Sequence, residues 1–305
     1  MVKYILNRLL VSLITAWVLV TIVFFLVRLL PGDPFLSEKV TPEIKANMMR
    51  YYGLDKPIHI QYVTFLRNLL KGDFGYSLRY KNRTVNEVIK QAFPYSADLG
   101  IRAVIFATIA GVTLGIIAAL NRNRTLDYLA MFIAIVGVSV PSFVIGPLLQ
   151  YVFATKLNLL PVSQWKGFSY TIMPTFALSL GALALMARLM RASMLDVVNQ
   201  DFIKTAKAKG LSPFQIIWKH QVRNAILPVI TVLGPVTATL LTGTFVVEQI
   251  FAIPGLGKFY VLGIQNLDYS LVLGMTTFYG LFLIAANFVV DIIYGLIDPR
   301  IRIAK

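Results

Sequence analysis

The stretch that decides the fold runs from Ser193 to Asn224 and reads SMLDVVNQDFIKTAKAKGLSPFQIIWKHQVRN. It is a polar, basic stretch between two very hydrophobic segments. Residues 202–209 have a helix-forming composition, and Gly210 suits the left-handed position that ends a helix. Ser212 is a suitable N-cap, Pro213 fits the first helical position, and Gln215 completes a capping box. We therefore predict a helix–glycine–helix unit between membrane spans, a surface that a partner protein can grip.

The composition is that of an integral membrane protein. The chain is 57% hydrophobic and 14% charged, with a mean hydropathy of +0.71, whereas soluble domains are about 45–50% apolar and about 25% charged. There are no cysteines, which excludes a disulfide framework and a thiolate metal site. The net charge of +15 would suggest nucleic acid in a soluble protein. In this chain the positive-inside rule explains the net charge. We therefore expect the chain to lie in a lipid bilayer and to bind no nucleic acid.

Six apolar segments are long enough to cross a bilayer: residues 9–30, 100–120, 128–152, 171–191, 227–250 and 271–297. The first resembles a signal peptide, but its apolar run is long and no A-x-A-like cleavage site follows. We therefore predict that it is retained as a span.

The charge of the short loops predicts the orientation. With the N-terminus inside, the cytoplasmic pieces carry 14 basic residues and the short outer loops carry 3, a bias that places both termini in the cytoplasm. The predicted fold class is an all-α integral membrane protein with six transmembrane helices. The predicted domains are an N-terminal transmembrane helix (1–30), an extracytoplasmic helical segment (31–97) and a core of five transmembrane helices (98–305). A cytoplasmic loop at about 192–226 joins helices 4 and 5.

The extracytoplasmic segment has helix signals of its own. Thr41 starts a predicted helix that can run to Gly53, and Pro57 starts a second that ends at Lys71-Gly72. Thr84-Val-Asn-Glu87 is a capping box for a third. Their apolar faces imply packing against each other, the spans or a partner. Whether the segment is an external docking surface or a simple cap over the spans stays open.

Small residues and prolines mark three of the spans. Ala107, Gly111, Gly115 and Ala119 are spaced four apart and would let a neighbouring helix approach closely. Gly137 and Pro141 predict a kink or a local opening in the third span. Gly234-Pro235 predicts an interrupted fifth span, followed by hydroxyls at Thr237, Thr239, Thr242 and Thr244. These threonines either line a pathway or bond to carbonyls of their own helix.

Ionisable residues near the spans are few, namely Arg28, Asp98, Arg102, Glu248 and Asp291. Most lie near span ends, where snorkelling makes them inexpensive. Asp291 lies deeper, one turn after Asn287, and we predict a structural hydrogen bond from it to a neighbouring helix. An ion-coupled carrier would need more buried charge than this.

Sequence motifs for catalysis are absent. There is no G-x-x-x-x-G-K-[ST], H-E-x-x-H or G-x-S-x-G. His59 and His220 fall on opposite sides of the predicted membrane and cannot share a metal. We predict that the chain is not an enzyme and binds no cofactor or metal, so that any nucleotide site lies on another chain.

An ordered set of motifs resembles a known family. Pro31-Gly-Asp-Pro34 follows the first span, and Tyr52-Gly-Leu-Asp-Lys-Pro57 and Lys71-Gly-Asp-Phe-Gly-Tyr-Ser77 follow in the outer segment. Later come 202–211, His220-x-x-Arg-Asn-Ala-x-Leu-Pro228, 246–257, Asp268-Tyr269 and Asp298-Pro-Arg300. Together they resemble the permease subunits of binding-protein-dependent ABC importers, in the dipeptide/oligopeptide/nickel branch, closest to the B subunits of oligopeptide permeases. The similarity runs essentially from end to end.

The loop departs from the general EAA motif of this family. Lys204-Thr205-Ala206 stands in place of E-A-A, and the I-x-L-P slot falls on residues 220–223, with Leu-Pro only at Leu227-Pro228. The resemblance nevertheless implies a coupling helix around Ala206 to Phe214 that seats in an ATPase cleft. The residues implied are Lys204, Thr205, Ala206, Lys207, Lys209, Gly210, Leu211, Ser212, Pro213, Phe214, Ile217 and His220. Ala206 and Gly210 would allow close approach, Phe214 and Ile217 would form an apolar knob, and the lysines would steer toward acidic rims.

The resemblance also implies the partners and the function. These are a second, homologous permease in a heterodimer, two ATPases that hold ATP and Mg, and an external peptide-binding lipoprotein docked on residues 31–97 and 251–269. The implied function is oligopeptide import across the cell membrane of a bacterium. The alternatives are a cargo of dipeptides, nickel or another small solute, an ion-coupled secondary transporter, or a membrane scaffold without transport.

Overall fold

Helices dominate the computed structural model, which describes residues 2–29, 49, 51, 53, 55–77, 83–242 and 245–297. The helices are α1 (Val2–Arg28), α2 (Ile58–Leu70), α3 (Val85–Leu120), α4 (Thr125–Ser139), α5 (Ser142–Lys156), α6 (Phe168–Val198), α7 (Asp201–Ala208), α8 (Pro213–Ala225), α9 (Leu227–Thr242), α10 (Phe245–Ile250), α11 (Leu256–Gln265) and α12 (Tyr269–Ile297). Within these described residues, four helices are long and apolar enough to cross a membrane, and there are up to six such spans if each of two bent helix pairs is one. The predicted all-α class is confirmed.

The chain divides into two compact units, Met1–Ser96 with Pro254–Lys305, and Ala97–Ile253. The division falls inside α3, a single helix of 36 residues that continues past Pro94. The predicted capping box starts this helix, since Thr84 Oγ1 accepts from Glu87 N at 3.1 Å and Glu87 Oε2 accepts from Thr84 N at 2.9 Å. The third outer helix and the second span of the sequence analysis are therefore one helix.

In the first unit, α2 packs against α1. The helix predicted from Pro57 is confirmed, and its Phe65 is buried in one cluster with Val20 and Phe24 of α1. The guanidinium of Arg28 lies 3.5 Å from the centroid of the Phe24 ring and donates to Gln61 Oε1 at 2.7 Å. The helix predicted from Thr41 to Gly53 lies almost entirely outside the described residues.

Two polar contacts join α1 to α12 in the same unit. Arg8 Nη1 lies 3.1 Å from Asp291 Oδ2, and the Tyr4 hydroxyl donates to the Asp291 carbonyl at 3.1 Å. The predicted structural bond from Asp291 to a neighbouring helix is confirmed. It is an ion pair with Arg8, and both side chains remain about one-third exposed.

In the second unit, the backbones of α3 and α6 approach each other closely at two glycines of α3. A Cβ on Gly111 would lie 2.7 Å from the Leu183 carbonyl oxygen, and one on Gly115 would lie 2.6 Å from that of Ala187. Ala107 and Ala119 on the same stripe are buried. The stripe of small residues is confirmed as the contact between two closely packed helices.

The predicted kink in the third span is a sharp turn. Helices α4 and α5 meet at 107° around Val140 and Pro141. Pro141 cannot donate a backbone hydrogen bond and disfavours helix in the residue before it. Gly137 has a different role, because its Cα faces α6, where an added Cβ would lie 2.9 Å from the Leu180 carbonyl oxygen.

The predicted break at Gly234-Pro235 is wrong. Helix α9 is continuous from Leu227 to Thr242 with Pro235 inside it. The bend, of 49°, lies before α9, between Pro213–Ala225 and Leu227–Leu241. Pro228 occupies the first turn of α9, where its missing N–H costs no helical hydrogen bond.

Candidate functional site

The helix–glycine–helix segment, residues 193–224, is helical from its start. Helix α6 continues through its first residues to Val198, and α7 then runs from Asp201 to Ala208. Gly210 has φ +73°. The Gly210 N–H donates to Lys207 O at 3.0 Å and the Leu211 N–H donates to Ala206 O at 3.3 Å, which is the pair of bonds in a Schellman motif. The predicted glycine end of the helix is confirmed.

The second helix of the segment, α8, begins as predicted. Ser212 Oγ accepts from Gln215 N at 3.4 Å, Gln215 Oε1 accepts from Ser212 N at 3.2 Å, and Pro213 is the first helical residue. From Ile216 to Val222 the helix widens to a π-helix. This widening rotates the following side chains relative to an ordinary α-helix, and no sequence pattern indicated it.

One face of the segment is fixed to the protein. Ile203, Ala206 and Ile216 form a buried cluster, against which Val197 of α6 and Leu211 pack. Ala206 is 4% exposed, and its methyl group fills the contact between α7 and α8. Ile217 is also turned inward, onto the cluster around Met190 and Val222.

The opposite face is aromatic and exposed. Phe214 is 70% exposed and Trp218 50% exposed, with ring centroids 6.2 Å apart. Phe214 was predicted as an apolar knob, whereas Trp218 was missed. The spacing of four residues on a helix could have identified it, since such residues share a face. Phe202 of α7 is 42% exposed.

The charges of the segment lie on its surface. Lys204 pairs with Asp201 at 2.8 Å in an exposed contact, and the Thr205 hydroxyl donates to the Asp201 carbonyl at 3.0 Å. Lys207 and Lys209 are exposed. His220 is half-buried, and its carbonyl accepts from the Asn224 side chain at 2.6 Å. The structure thus brings the lysines, Gly210 and Phe214 to the accessible side of one helical unit.

The threonines of α9 bond within their own helix where the structure describes them. Thr237 Oγ1 donates to Leu233 O at 2.6 Å and Thr239 Oγ1 donates to Pro235 O at 2.8 Å. These contacts match the second of the two interpretations offered for them. Gly243, Thr244 and the side chain of Thr242 lie outside the described residues.

Arg191, two residues before the segment, forms an ion pair that was not predicted from the sequence. Arg191 of α6 donates to both carboxylate oxygens of Asp127 in α4, and Asp127 is only 2% exposed. Asp127 lies just before the span predicted from residue 128, and its partner is 64 residues away in the sequence. Among the described residues, no group of three or more His, Cys, Asp or Glu could hold a metal ion.

Comparison with known families covers nearly the whole chain. Residues 111–303 match the family described as "Binding-protein-dependent transport system inner membrane component". Residues 1–100 match the family described as "Binding-prot-dependent transport system membrane comp, N-term".

Curated relatives are similar over their full length. The Haemophilus influenzae oligopeptide transport system permease protein OppB is 48% identical over 99% of this chain and 100% of its own. The Bacillus subtilis dipeptide transport system permease protein DppB is 46% identical over 100% of this chain and 99% of its own. The Salmonella typhimurium OppB is 45% identical, with 99% and 100% covered.

A solved structure shares the fold. A chain of the MetNI methionine ABC transporter, in an inward-facing conformation, superposes with a TM-score of 0.54 at 16% identity. The match covers 69% of this chain and 94% of that one.

Proposed function

The chain belongs to the family of inner-membrane components of binding-protein-dependent transport systems, and we propose that the exposed face of its helix–glycine–helix segment binds the ATPase that drives transport. It is an oligopeptide/dipeptide ABC-transporter permease subunit, a multi-pass bacterial inner-membrane protein and not itself an enzyme. Such systems work with an ATPase and a binding protein.

The observation that carries the proposal is the exposed pair Phe214 and Trp218. Large aromatic side chains are rarely left open to water unless a partner covers them, and Trp is among the residues most enriched at interface hot spots. The backbone beneath them is held by the Schellman motif at Gly210 and the cluster around Ile203 and Ile216. Because this backbone is rigid, movement of a bound ATPase would be transmitted to α6 and would not be absorbed by deformation of the segment.

Charge supports the same face. Lys207 of α7 and Lys209, directly after α7, are exposed, and an acidic rim on the ATPase would be attracted to them. The bias of basic residues, 14 against 3 in the short loops, places this segment and both termini in the cytoplasm. Six spans with that orientation are the topology that we propose.

The assembly that we propose contains four other protein subunits. A second, homologous permease pairs with this chain, two ATPases hold ATP and Mg, and a peptide-binding lipoprotein docks outside on residues 31–97 and 251–269. The domain limits 1–30, 31–97 and 98–305 follow from this arrangement. The pathway forms between the two permeases, with the face from Thr237 to Thr244 as its contribution from this chain. ATP binding would rock the segment and change the side on which the pathway opens.

For the cargo we propose oligopeptides. Relatives named for oligopeptides and for dipeptides are about equally similar to this chain, at 48% and 46% identity. A competition assay would distinguish an oligopeptide cargo from a dipeptide cargo. It measures how strongly unlabelled di-, tri- and pentapeptides reduce the uptake of a labelled tripeptide. Preference for dipeptides, or uptake of nickel, would select one of the alternatives.

The experiment that tests the interface replaces both exposed rings. We expect Phe214→Ala with Trp218→Ala to leave the permease in the membrane with unchanged thermal stability. Hot-spot truncations cost about 2 kcal/mol or more each, so co-purification of the ATPases in mild detergent should fall at least about tenfold, and ATP-dependent peptide uptake with it. Phe132→Ala is the matched control, because Phe132 is 62% exposed on α4, away from the segment.

Two results would contradict the assignment. One is retention of the ATPases and of uptake by the double variant. The other is purification of the wild-type chain as a homo-oligomer without any ATPase, which would favour an ion-coupled carrier.

A further inference from the structure

An open groove of about 610 Å³ runs between α3 and α6 in the second unit. Its size falls in the range of about 300–1,000 Å³ that small-molecule sites occupy. Most of its lining is apolar, and the side chains come from two membrane-spanning helices. They are Arg102, Ile105, Phe106, Ile109, Ala110, Phe168, Thr171, Ile172, Thr175 and Phe176.

One end of the groove carries a charged pair. Arg102 Nε donates to Asp98 Oδ1 at 2.9 Å, and both side chains are more than one-third exposed. Among the described residues, the two Nη groups of Arg102 and Oδ2 of Asp98 make no hydrogen bond. The pair therefore presents a guanidinium edge and a carboxylate oxygen side by side, both available to a ligand.

The position of this pair locates it at a bilayer surface. The Arg102 guanidinium lies 6.0 Å from the ring centroid of Phe168, and Phe168 is the first residue of α6. The charged end of the groove thus coincides with the end of a membrane span. From Arg102 to Ala110 the groove extends about 12 Å along α3 at 1.5 Å per residue, close to the half-thickness of about 15 Å of a hydrocarbon core.

We propose that this groove binds one phospholipid whose headgroup carries a primary ammonium. Its phosphate accepts two hydrogen bonds from the Nη groups of Arg102, the fork geometry that guanidinium offers to phosphate. Its ammonium donates to Asp98 Oδ2. One acyl chain lies along Ile105, Ile109 and Ile172 toward the bilayer centre.

The headgroup decides which lipid is held. An acyl chain gains little from the groove, because the bulk lipid around it is as apolar as the isoleucines. Selectivity must therefore come from the charged pair. Phosphatidylglycerol has the phosphate but no ammonium, so its net negative charge is repelled by the Asp98 carboxylate. Phosphatidylcholine has no N–H to donate. Phosphatidylethanolamine satisfies both groups.

The test uses the complete importer in nanodiscs with equal amounts of these three lipids. The complex is delipidated stepwise, and the lipids that remain are identified by native mass spectrometry. We expect phosphatidylethanolamine to be enriched roughly tenfold over phosphatidylcholine, a ratio equal to about 1.4 kcal/mol. With Asp98→Asn the preference should pass to phosphatidylglycerol, because Arg102 then stands alone. With Arg102→Gln retention of every headgroup should fall.

A second variant fills the groove without changing charge. Ile109→Trp should abolish the retained lipid, whereas Ile117→Trp should not, because Ile117 is an exposed residue of α3 outside the lining. The proposal is overturned if the wild-type complex keeps the three lipids in bulk proportion, or if Ile109→Trp keeps its lipid. It is equally overturned if a photoreactive residue at position 109 labels the second permease and not lipid, since the groove is then a subunit interface.

Discussion

The guanidinium of Arg191 in α6 donates two hydrogen bonds to the carboxylate of Asp127 in α4, at 2.6 Å from Nε to Oδ1 and 2.7 Å from Nη2 to Oδ2. Asp127 Oδ2 also accepts from the Asn123 N–H at 2.9 Å. Asp127 is buried, while the Arg191 side chain is 27% exposed. This pair holds the start of α4 against the part of α6 that leads into the helix–glycine–helix segment.

Removing one partner of this pair should destabilise the protein. Asp127→Asn leaves Arg191 without its counter-charge, and breaking a buried pair costs about 3–5 kcal/mol. We expect about 3 kcal/mol or less, because the partly exposed arginine can regain water. Replacing both partners, as Asp127→Leu with Arg191→Met, should restore part of the loss. Thermal unfolding in detergent measures this.

The exposed pair of Asp201 and Lys204 supplies the control. Asp201→Asn should change the unfolding midpoint little, since exposed pairs contribute about 0–1 kcal/mol and these side chains are 93% and 70% exposed. Equal effects of Asp127→Asn and Asp201→Asn would show that the contact between α4 and α6 does not depend on the buried pair.

The close approach of α3 to α6 makes a second prediction. A Cβ at Gly115 would lie 2.6 Å from both the Ala187 carbonyl oxygen and the Met190 Cβ, so Gly115→Ala must push the helices apart. Overpacking of this kind costs about 1–3 kcal/mol. Gly181→Ala is the control, because an added Cβ there has no other atom within 4 Å. We expect a lower unfolding temperature for the first variant and an equal or higher one for the second; the reverse order would refute the contact.

Local sequence signals predicted local structure well. The glycine end of α7, the capping box of α8 and that of α3 depend on a few neighbouring residues, and all are as expected. The stripe of small residues at Gly111 and Gly115 was also predicted correctly. Residues spaced four apart lie on one face of a helix, and small residues on one face indicate a closely packed neighbouring helix. The motifs also indicated the family from the sequence alone.

What depends on tertiary context was not predictable. Pro235 was taken as a break, yet a membrane helix continues through it because the bend is taken up before Pro228. The inward direction of Ala206 and Ile217 could not be read from the sequence, because the packing of α8 on α7 and the π-helix set which face is buried. Asp127 and Arg191 are 64 residues apart in sequence, so no local pattern reveals their pairing.

A third prediction concerns the glycine that ends α7. Gly210 has φ +73° and its N–H donates to Lys207 O. Gly210→Ala keeps the bond but strains the backbone by about 1 kcal/mol. Gly210→Pro loses the bond and cannot adopt this φ. We expect ATPase retention to fall moderately for the first and to be lost for the second, with both proteins still in the membrane.

Gly72 offers a control of the same geometry. It has φ +75° after α2, and its N–H donates to Leu69 O at 2.9 Å. Gly72→Ala and Gly72→Pro impose the same local strain outside the segment and should leave ATPase retention unchanged. Normal peptide uptake by Gly210→Pro would contradict the assignment of this segment as the coupling site.

The ion pair of Asp291 makes a fourth prediction, which separates ATP-driven from ion-driven transport. Asp291 contacts Arg8 in a partly exposed pair, and such pairs contribute little to stability. We expect Asp291→Asn to keep ATP-dependent uptake within about twofold of wild type. Uptake in proteoliposomes with and without a proton gradient is the measurement. Loss of gradient-driven uptake in the variant, with no response to ATP in the wild type, would assign Asp291 a coupling role.

A fifth prediction concerns α9 as part of the transport pathway. The chain contains no cysteine, so a single introduced cysteine can be labelled specifically. Thr239 is exposed and its hydroxyl bonds to Pro235 O, so Thr239→Cys removes this bond within its own helix. If α9 lines the pathway in the assembled importer, a membrane-impermeant thiol reagent should label this single cysteine, and peptide cargo should slow the labelling. Phe132→Cys on α4, 62% exposed, should stay unlabelled, because we expect this side chain to face lipid. Labelling of neither position, or of both at the same rate with no effect of peptide, would remove α9 from the pathway.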